Sequence, residues 1–434
     1  MRLALLIMTL AALLPIAARL PHVGLLLWGW LTVMQPHQEV WGLPGWLKLN
    51  LITAVVTIGA WLLSREPKLP SAGLLPLLFA GFAGWLIISQ LNSLVPDYSW
   101  IYFDRHWRVL AFVFLCLVLL NRRPRLHAMI WVLVISIGYH AVTGGVFTIV
   151  TGGRHIVLGP PDSMIGDNNH VGIAIVTMIP LMIYLWQHSR VRFVRWGLAA
   201  TIFLSAVAVF GSFSRGAAIS FAVMCALLLL KSRRKLATAV VVAILVVSGM
   251  TIMSQFWEQR MQTIAEYDTD ASFQGRVDAW IIAYEAARAR PLTGLGPRVP
   301  YLQAAVDPYL SEPRKVAAAH SIYFEVLGSM GYPALALFLA ILAVTWRNLR
   351  WIERQAREAP ELKWAGDLAA MAQVSLLAFM VGGASVSLEF WEGFWLLVVI
   401  GHRARQLVRA HLSAPAPAGR PAALSSPLGA ELPR

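Results

Sequence analysis

Long apolar runs alternate with short polar loops from the start of the chain to about position 402, and the runs have the length of membrane crossings. They fall at 3–18, 22–35, 47–63, 72–92, 107–120, 126–150, 170–187, 196–213, 216–230, 236–254, 319–346, 366–387 and 392–402. A hydrocarbon core of about 30 Å takes about 20 helical residues to cross, and several runs are shorter, so the pattern predicts about twelve crossings. Each should be helical, because a backbone amide inside lipid has no water to bond and must be satisfied within its own segment. The pattern therefore predicts an all-α polytopic protein: one membrane domain over 1–410, a large polar loop at 255–318, and a disordered tail at 413–434, rich in Pro and Ala with little to bury. The first run, after Met1-Arg2, also resembles a signal-peptide core with Ala17-Ala18 as a cleavage point. The apolar pattern resumes at once, which favours a first span.

Composition agrees with this class. Hydrophobic residues make up 58% of 434, charged residues 13%, and the mean hydropathy is +0.64, values that exclude a soluble globular domain. The net charge of +14 does not gather into one patch, so it is not read as a nucleic-acid surface. It sits instead in the loops 121–125 (NRRPR), 188–195 (HSRVRFVR) and 231–235 (KSRRK), after Trp346, and after His402. Basic loops are retained on the cytoplasmic side. Residues 93–106, 151–169 and 255–318 then face outward, and the N-terminus is outside if the first two runs both cross. Cys116 and Cys225 fall within apolar runs and have neither disulfide nor metal-ligand spacing.

Three polar elements converge on the predicted outer face. The turn GSFSRG at 211–216 leaves Arg215 at the bilayer surface, either as a headgroup anchor or as a clamp for a diphosphate. In the large loop, Val277, Trp280, Ile281 and Tyr284 recur at helical spacing opposite Asp278, Glu285 and Arg288, which predicts an amphipathic surface helix with Arg276 in its first turn. Pro291 ends that helix, and the turn GLGP at 294–297 brings Arg298 toward the same place. The third element is Ala319-His320-Ser321 at the start of the next span. Cationic forks that hold a diphosphate, beside an imidazole that takes a proton from a hydroxyl, fit glycosyl transfer from a lipid-linked donor. Asp167, Asn168, Asn169 and His170 either bind acceptor sugar or cap the span that follows. Asp268 and Asp270 match the metal-binding acidic pair of nucleotide-sugar transferases, but those donors are cytosolic and this pair lies in the outward loop, so no metal and no cofactor is assigned. Glu325 is read as a partner for an arginine, and Gly328 and Gly331 as sites of close helix packing.

The order of these pieces, SRG at 214–216, then GR…W…A…P…G.G through 275–296, then His320 and a glycine-bearing helix, resembles the O-antigen ligase and polymerase superfamily. The stretch TGGRHIVLGPPDSMIGDNN at 151–169 is similar to the O-glycosylation ligases associated with exosortase systems. The resemblance implies a GT-C-like helical enzyme of the bacterial inner membrane with its site facing the periplasm. It implies a donor glycan on undecaprenyl diphosphate and an acceptor hydroxyl on lipid A-core, on another lipid-linked glycan or on protein. Among membrane lipids as its solvent, such an enzyme would hold the diphosphate with Arg215 and Arg276 and use His320 as base. Arg288, Arg298, Trp280 and Ser321 would join Asp167, Asn168 and Asn169 in binding substrate; Ser321 stands where many members have Asn. A polymerase of the same superfamily is the nearest alternative. A lipid-glycan flippase is the next, and it would call for interrupted helices and ionisable groups in mid-membrane.

The alternation of basic loops makes a direct prediction. In a chain lacking Cys116 and Cys225, a cysteine at Ser272 should react with an impermeant thiol reagent in intact cells and one at Ser232 should not. The reverse pattern would overturn the topology.

Overall fold

Every apolar run of the sequence becomes a helix in the computed structural model, which describes residues 2–40, 42–43, 47–232, 234–252 and 271–413. The Asp268/Asp270 pair and the tail beyond Ser413 lie outside the described residues. In order the helices are α1 (Arg2–Ala17), α2 (Pro21–Met34), α3 (Leu49–Leu63), α4 (Leu74–Leu91), α5 (Pro96–Leu119), α6 (Arg123–Thr151) and α7 (Asn168–His188). There follow α8 (Arg192–Gly211), α9 (Arg215–Lys231), α10 (Lys235–Ile252), α11 (Ala271–Ala289), α12 (Ile322–Glu358), α13 (Lys363–Gly383) and α14 (Glu392–Ser413). Among the described residues no strand occurs. Among the described residues six helices are long and apolar enough to cross a membrane: α4, α6, α7, α8, α12, and α13 with its leading turn. Four more, α1, α2, α3 and α10, are apolar but shorter.

The centre of the bundle is α7. Its sequence VGIAIVTMIPLM is apolar on all faces, and Val171 through Met182 are buried against α6, α8, α9 and α13. A helix apolar on all sides is either interior or lipid-facing, and the burial of these residues makes α7 the interior one. Around it the loops sort to two ends. At one end Lys231 bonds Glu353 at 2.5 Å and Gln373 at 2.7 Å, Arg125 pairs with Glu66 at 2.7 Å, and His188 meets Asp367 at 3.0 Å. These are the basic loops of the sequence. At the other end lie the N-termini of α7, α9 and α12 and the segment between α13 and α14. Arg2 lies 4.0 Å from Glu39, so α1 and α2 run as separate antiparallel helices rather than one broken span.

Two expectations change. First, α11 does not present Val277, Trp280, Ile281 and Tyr284 as its apolar face: Tyr284 is exposed, and the buried stripe is Ala279, Ile282, Ala283, Ala286 and Ala287. Small residues win because α11 packs backbone-close on α12; a Cβ placed at Gly328 would meet Ala283 Cα at 3.0 Å. Second, a membrane helix is interrupted after all. Helical geometry in α12 breaks at Gly331, with φ 77° and ψ −177°, two residues before Pro333. Only glycine adopts that conformation readily.

The break frees carbonyls at membrane depth, and each finds a donor. Gly328 O accepts Leu295 N–H at 3.1 Å and Ser329 O accepts Gly296 N–H at 3.0 Å. Ser89 Oγ of α4 donates to Ser329 O at 2.9 Å, and Trp85 Nε1 donates to Met330 O at 3.2 Å. In return Tyr332 N–H donates to Pro291 O at 2.9 Å. The kink is thus the socket into which the loop after α11 is fastened.

Gly331→Ala should therefore destabilise the protein. Its Cβ would sit 2.6 Å from the carbonyl oxygens of Pro291 and Leu292, and the backbone alone costs about 1–3 kcal/mol for a non-glycine residue there. Thermal unfolding in detergent should show a clearly lower midpoint than wild type; an unchanged midpoint would refute the socket.

Candidate functional site

Helix N-termini bring the polar residues together. Asp167 is the N-cap of α7: its Oδ1 accepts His170 N–H at 2.8 Å and faces His170 Nδ1 at 2.7 Å. Asn168 Nδ2 donates to Ser212 O at 2.8 Å, which ties the start of α7 to the α8–α9 turn. In that turn Ser214 caps α9 by accepting Ala217 N–H at 3.2 Å, and Arg215 is the first residue of the helix. A Cβ on Gly216 would touch Ser385 Oγ at 2.0 Å, so α9 begins hard against the segment joining α13 to α14. Two residues on, Ser387 N–H donates to His170 Nε2 at 3.3 Å. The His170 ring centroid lies 6.2 Å from that of His320, at the threshold of α12. Three positive helix ends thus surround one place, a favourable arrangement for an anion.

His320 is held there in an uncommon backbone conformation, φ 43°. Non-glycine residues in that region cost about 1–2 kcal/mol and persist only where neighbours fix them. Trp280 supplies part of that fixing: its Nε1 donates to Ala319 O at 2.7 Å, and its ring stacks on Phe324 at 5.4 Å. The Nδ1 of His320 has no hydrogen-bond partner. Burial, the Arg276 guanidinium and His170 together hold its pKa below the ordinary 6.5, against the smaller pull of Asp167 and Glu325. Arg276 is thus close enough for its charge to act on His320. For Asp167, burial favours the acid, but the bonds and charge of His170 and the charge of His320 prevail and hold it down to about 2.

The two histidines differ in what their nitrogens can do. In His170 both are engaged, one by the Asp167 carboxylate and the other by the Ser387 amide. His320 keeps Nδ1 unpartnered. A base needs an available lone pair, so His320 is the better placed.

Behind His170 stands a buried charge cluster. Arg298 Nη1 approaches Glu325 Oε1 at 3.3 Å and its Nη2 approaches Glu389 Oε1 at 3.3 Å. Tyr301 donates to the same Glu325 oxygen and receives a bond from Arg298. Ser387 Oγ adds a bond to Glu325 at 2.6 Å. Ser387 is therefore a bridge, with its hydroxyl in this cluster and its amide on His170. Burial pushes the Glu389 carboxyl up to about 7, against Arg298 and with the help of Glu325.

The sequence-predicted residues divide accordingly. Arg215, Asp167, Asn168, Ser321 and His320 come together, and Arg276 acts electrostatically on His320. Arg276 is not in the first turn of its helix, because α11 starts at Ala271 in spite of Gly275. Arg298 was expected on the substrate; its guanidinium is engaged by Glu325 and Glu389. Trp280 pins backbone. Arg288 is exposed on the Glu285 side of α11, outside the group around His320. Asn169 reaches Asn168 Oδ1 at 3.3 Å. Glu325 does pair with an arginine, as its position suggested. Glu389, Tyr301 and Ser387 were not anticipated; the signal for Glu389 was an acid inside the apolar stretch SVSLEFW.

Residues 199–339 match the family model described as O-Antigen ligase, and residues 1–190 match one described as a family of unknown function. No curated protein matches the chain. The first match covers Arg215, Arg276, Arg298 and His320, and its boundary falls inside α12 beyond the Gly331 break.

If Arg298 is a strut, Arg298→Met should cost about 3–5 kcal/mol, the usual penalty for leaving a buried charge unpaired. Adding Glu325→Gln should recover part of the loss in thermal unfolding. Full stability with weakened donor binding would return Arg298 to the substrate.

Proposed function

We propose that this chain, which belongs to the O-antigen ligase/polymerase superfamily, transfers a glycan from undecaprenyl diphosphate to an acceptor hydroxyl at the periplasmic end of its bundle. The acceptor is lipid A-core or a protein hydroxyl, as in the O-glycosylation ligases of exosortase systems that its N-terminal half resembles. A GT-C-like arrangement of about twelve crossings in the bacterial inner membrane goes with this reading. The observation that carries it is His320: an imidazole with one unpartnered nitrogen and a lowered pKa, beside two arginines' helices and three helix N-termini.

The acceptor hydroxyl attacks the anomeric carbon as His320 accepts its proton. The bond from that carbon to the diphosphate oxygen breaks, the configuration inverts, and undecaprenyl diphosphate departs with the bonding electrons. Negative charge grows on the leaving group. Arg215 and Arg276, with the positive N-terminal end of α9, stabilise it through charge-assisted hydrogen bonds, taking the part a metal ion plays in other transferases. Arg276 has a second effect, since its charge disfavours protonated His320 and keeps the base available. His170, locked between Asp167 and Ser387, positions the ring of His320 and the acceptor.

A polymerase of the same superfamily would use the same donor machinery with a glycan hydroxyl as acceptor. The flippase reading draws on the Gly331 break. The carbonyls freed there are bonded to Leu295, Gly296, Ser89 and Trp85 instead of lining a path.

With full-length protein and a lipid-diphosphate glycan donor, His320→Ala should cut transfer to lipid A-core or a hydroxyl-bearing peptide by about 10²–10⁴-fold, the range for a general base. Because the base must be neutral and its folded pKa lies below 6.5, the wild-type rate should hold down to that pH and fall beneath it. Arg276→Gln removes a repelling charge and should move this fall to higher pH. Arg215→Lys and Arg276→Lys should each lower kcat by about tenfold or more, roughly 1.4 kcal/mol of lost fork geometry. An alanine variant that keeps more than about a tenth of the rate would remove His320 from catalysis.

A further inference from the structure

At the end of the bundle remote from His320, the start of α4 meets α12 and α14 around a cavity of about 100 Å³. Along α12 it lies 26 residues from Ile322, roughly 40 Å at the helical rise. The space is large enough for several waters or one tetrahedral anion. Its polar lining is Gly73, Arg347, Asn348, His402, Arg405, Gln406 and Arg409; the Gln406 Oε1 is already taken by Arg403 and Ser71, and no lining residue is acidic.

Each element contributes a donor. Gly73 occupies the cap position of the 18-residue α4 without any side-chain acceptor, so the first-turn amides open toward the cavity uncapped. His402 is 5% exposed, and its Nε2 has no hydrogen-bond partner. Its Cε1 stands 3.5 Å from where a Cβ on Gly73 would be, which brings the ring edge to the mouth of α4. Arg405 is held by a 2.5 Å bond from Nη1 to Asn348 Oδ1 and by the Trp351 ring at 5.2 Å, while its buried Nε has no partner. Arg347 and Arg409 are exposed beside it. Three guanidinium groups, an imidazole and a helix N-terminus around so small a space leave an excess of positive charge and of donors, which a tetrahedral dianion or monoanion satisfies.

We propose that this cavity binds a phosphate group, carried by an anionic phospholipid headgroup or by a soluble phosphate ester. The site is separate from glycan transfer. Leu74 at the rim is exposed, so a lipid headgroup seated here could run its acyl chains along α4, and basic pockets between helices are a known form of phosphate-headgroup site.

The test uses delipidated full-length protein in detergent. Binding is read by thermal shift and native mass spectrometry with phosphatidylglycerol, phosphatidylcholine or inorganic phosphate. The proposal expects phosphatidylglycerol to bind well above phosphatidylcholine; binding of inorganic phosphate as well would assign the site to phosphate itself, and its absence to the lipid. Arg347→Gln with Arg409→Gln, both at exposed positions, should weaken binding about tenfold or more, the loss of one charge-assisted bond. Gly73→Asp serves as the second variant: the backbone there is extended, the nearest atoms are at ordinary contact distance, and the new carboxylate would cap α4. It should abolish phosphate binding while the fold survives. Arg190→Gln with Arg192→Gln, on another basic loop, should bind as wild type. Equal binding of the two phospholipids, or wild-type binding by both cavity variants, overturns the site.

Discussion

No backbone carbonyl can stay unpaired inside a membrane, and the break at Gly331 places several in that position. The loop after α11 and the side chains of Trp85 and Ser89 satisfy them. Because those bonds run from the polar loop into the bundle, the loop is fixed by the membrane domain. The rest of the site follows from this. Fixing residues 291–296 sets Arg298 against Glu325 and Glu389, and fixing the short first part of α12 sets His320 at its entrance. A continuous helix through Gly331 would leave the amides of Leu295, Gly296 and Tyr332 without these partners.

The second layer is electrostatic. A buried arginine between two glutamates contributes little net stability, because desolvation offsets most of the attraction, but it is demanding of geometry. Here it joins three separate chain segments, 298–301, the start of α12 and the 387–389 segment, through Ser387 to His170. The chain of contacts ends at two imidazoles with different duties. One is bonded at both nitrogens. The other has an unpartnered Nδ1, and burial and a neighbouring guanidinium lower its pKa. Such pairs, with environments that set them apart, are what acid–base chemistry at neutral pH requires.

The bundle is also polar along its axis. At one end the N-termini of α7, α9 and α12 gather with Arg215 and His320; at the other, arginines and lysines bind glutamates and glutamines and line one small cavity. Clustered basic loops hold orientation in the membrane, and the cavity among them shows that such residues can form a shaped site as well. The helix dipoles work in the same sense at both places, since α9 and α12 start at one end and α4 starts at the other.

Hydropathy alone determined the helices: each apolar run from 3–18 to 392–402 is matched by one, because a segment in lipid must satisfy its own backbone and only a helix does so locally. The motif order pointed to the O-antigen ligase family whose model matches residues 199–339, and it drew attention to Arg215, Arg276 and His320, since these types are rare in apolar surroundings and conspicuous where they occur. What the sequence misassigned were roles that depend on distant partners. Arg298 looked like a ligand for substrate, but Glu389, 91 residues away, faces it. The apolar stripe of α11 was read from its large side chains, whereas the packed face is made of alanines that approach α12 closely. Whether Gly331 merely eased packing or broke a helix was decided by Pro291 and Leu292 occupying the space in front of it. Local pattern fixes which residues must leave water. Only tertiary contact decides which polar groups are left to meet one another, because that pairing depends on distances between segments that no local preference encodes.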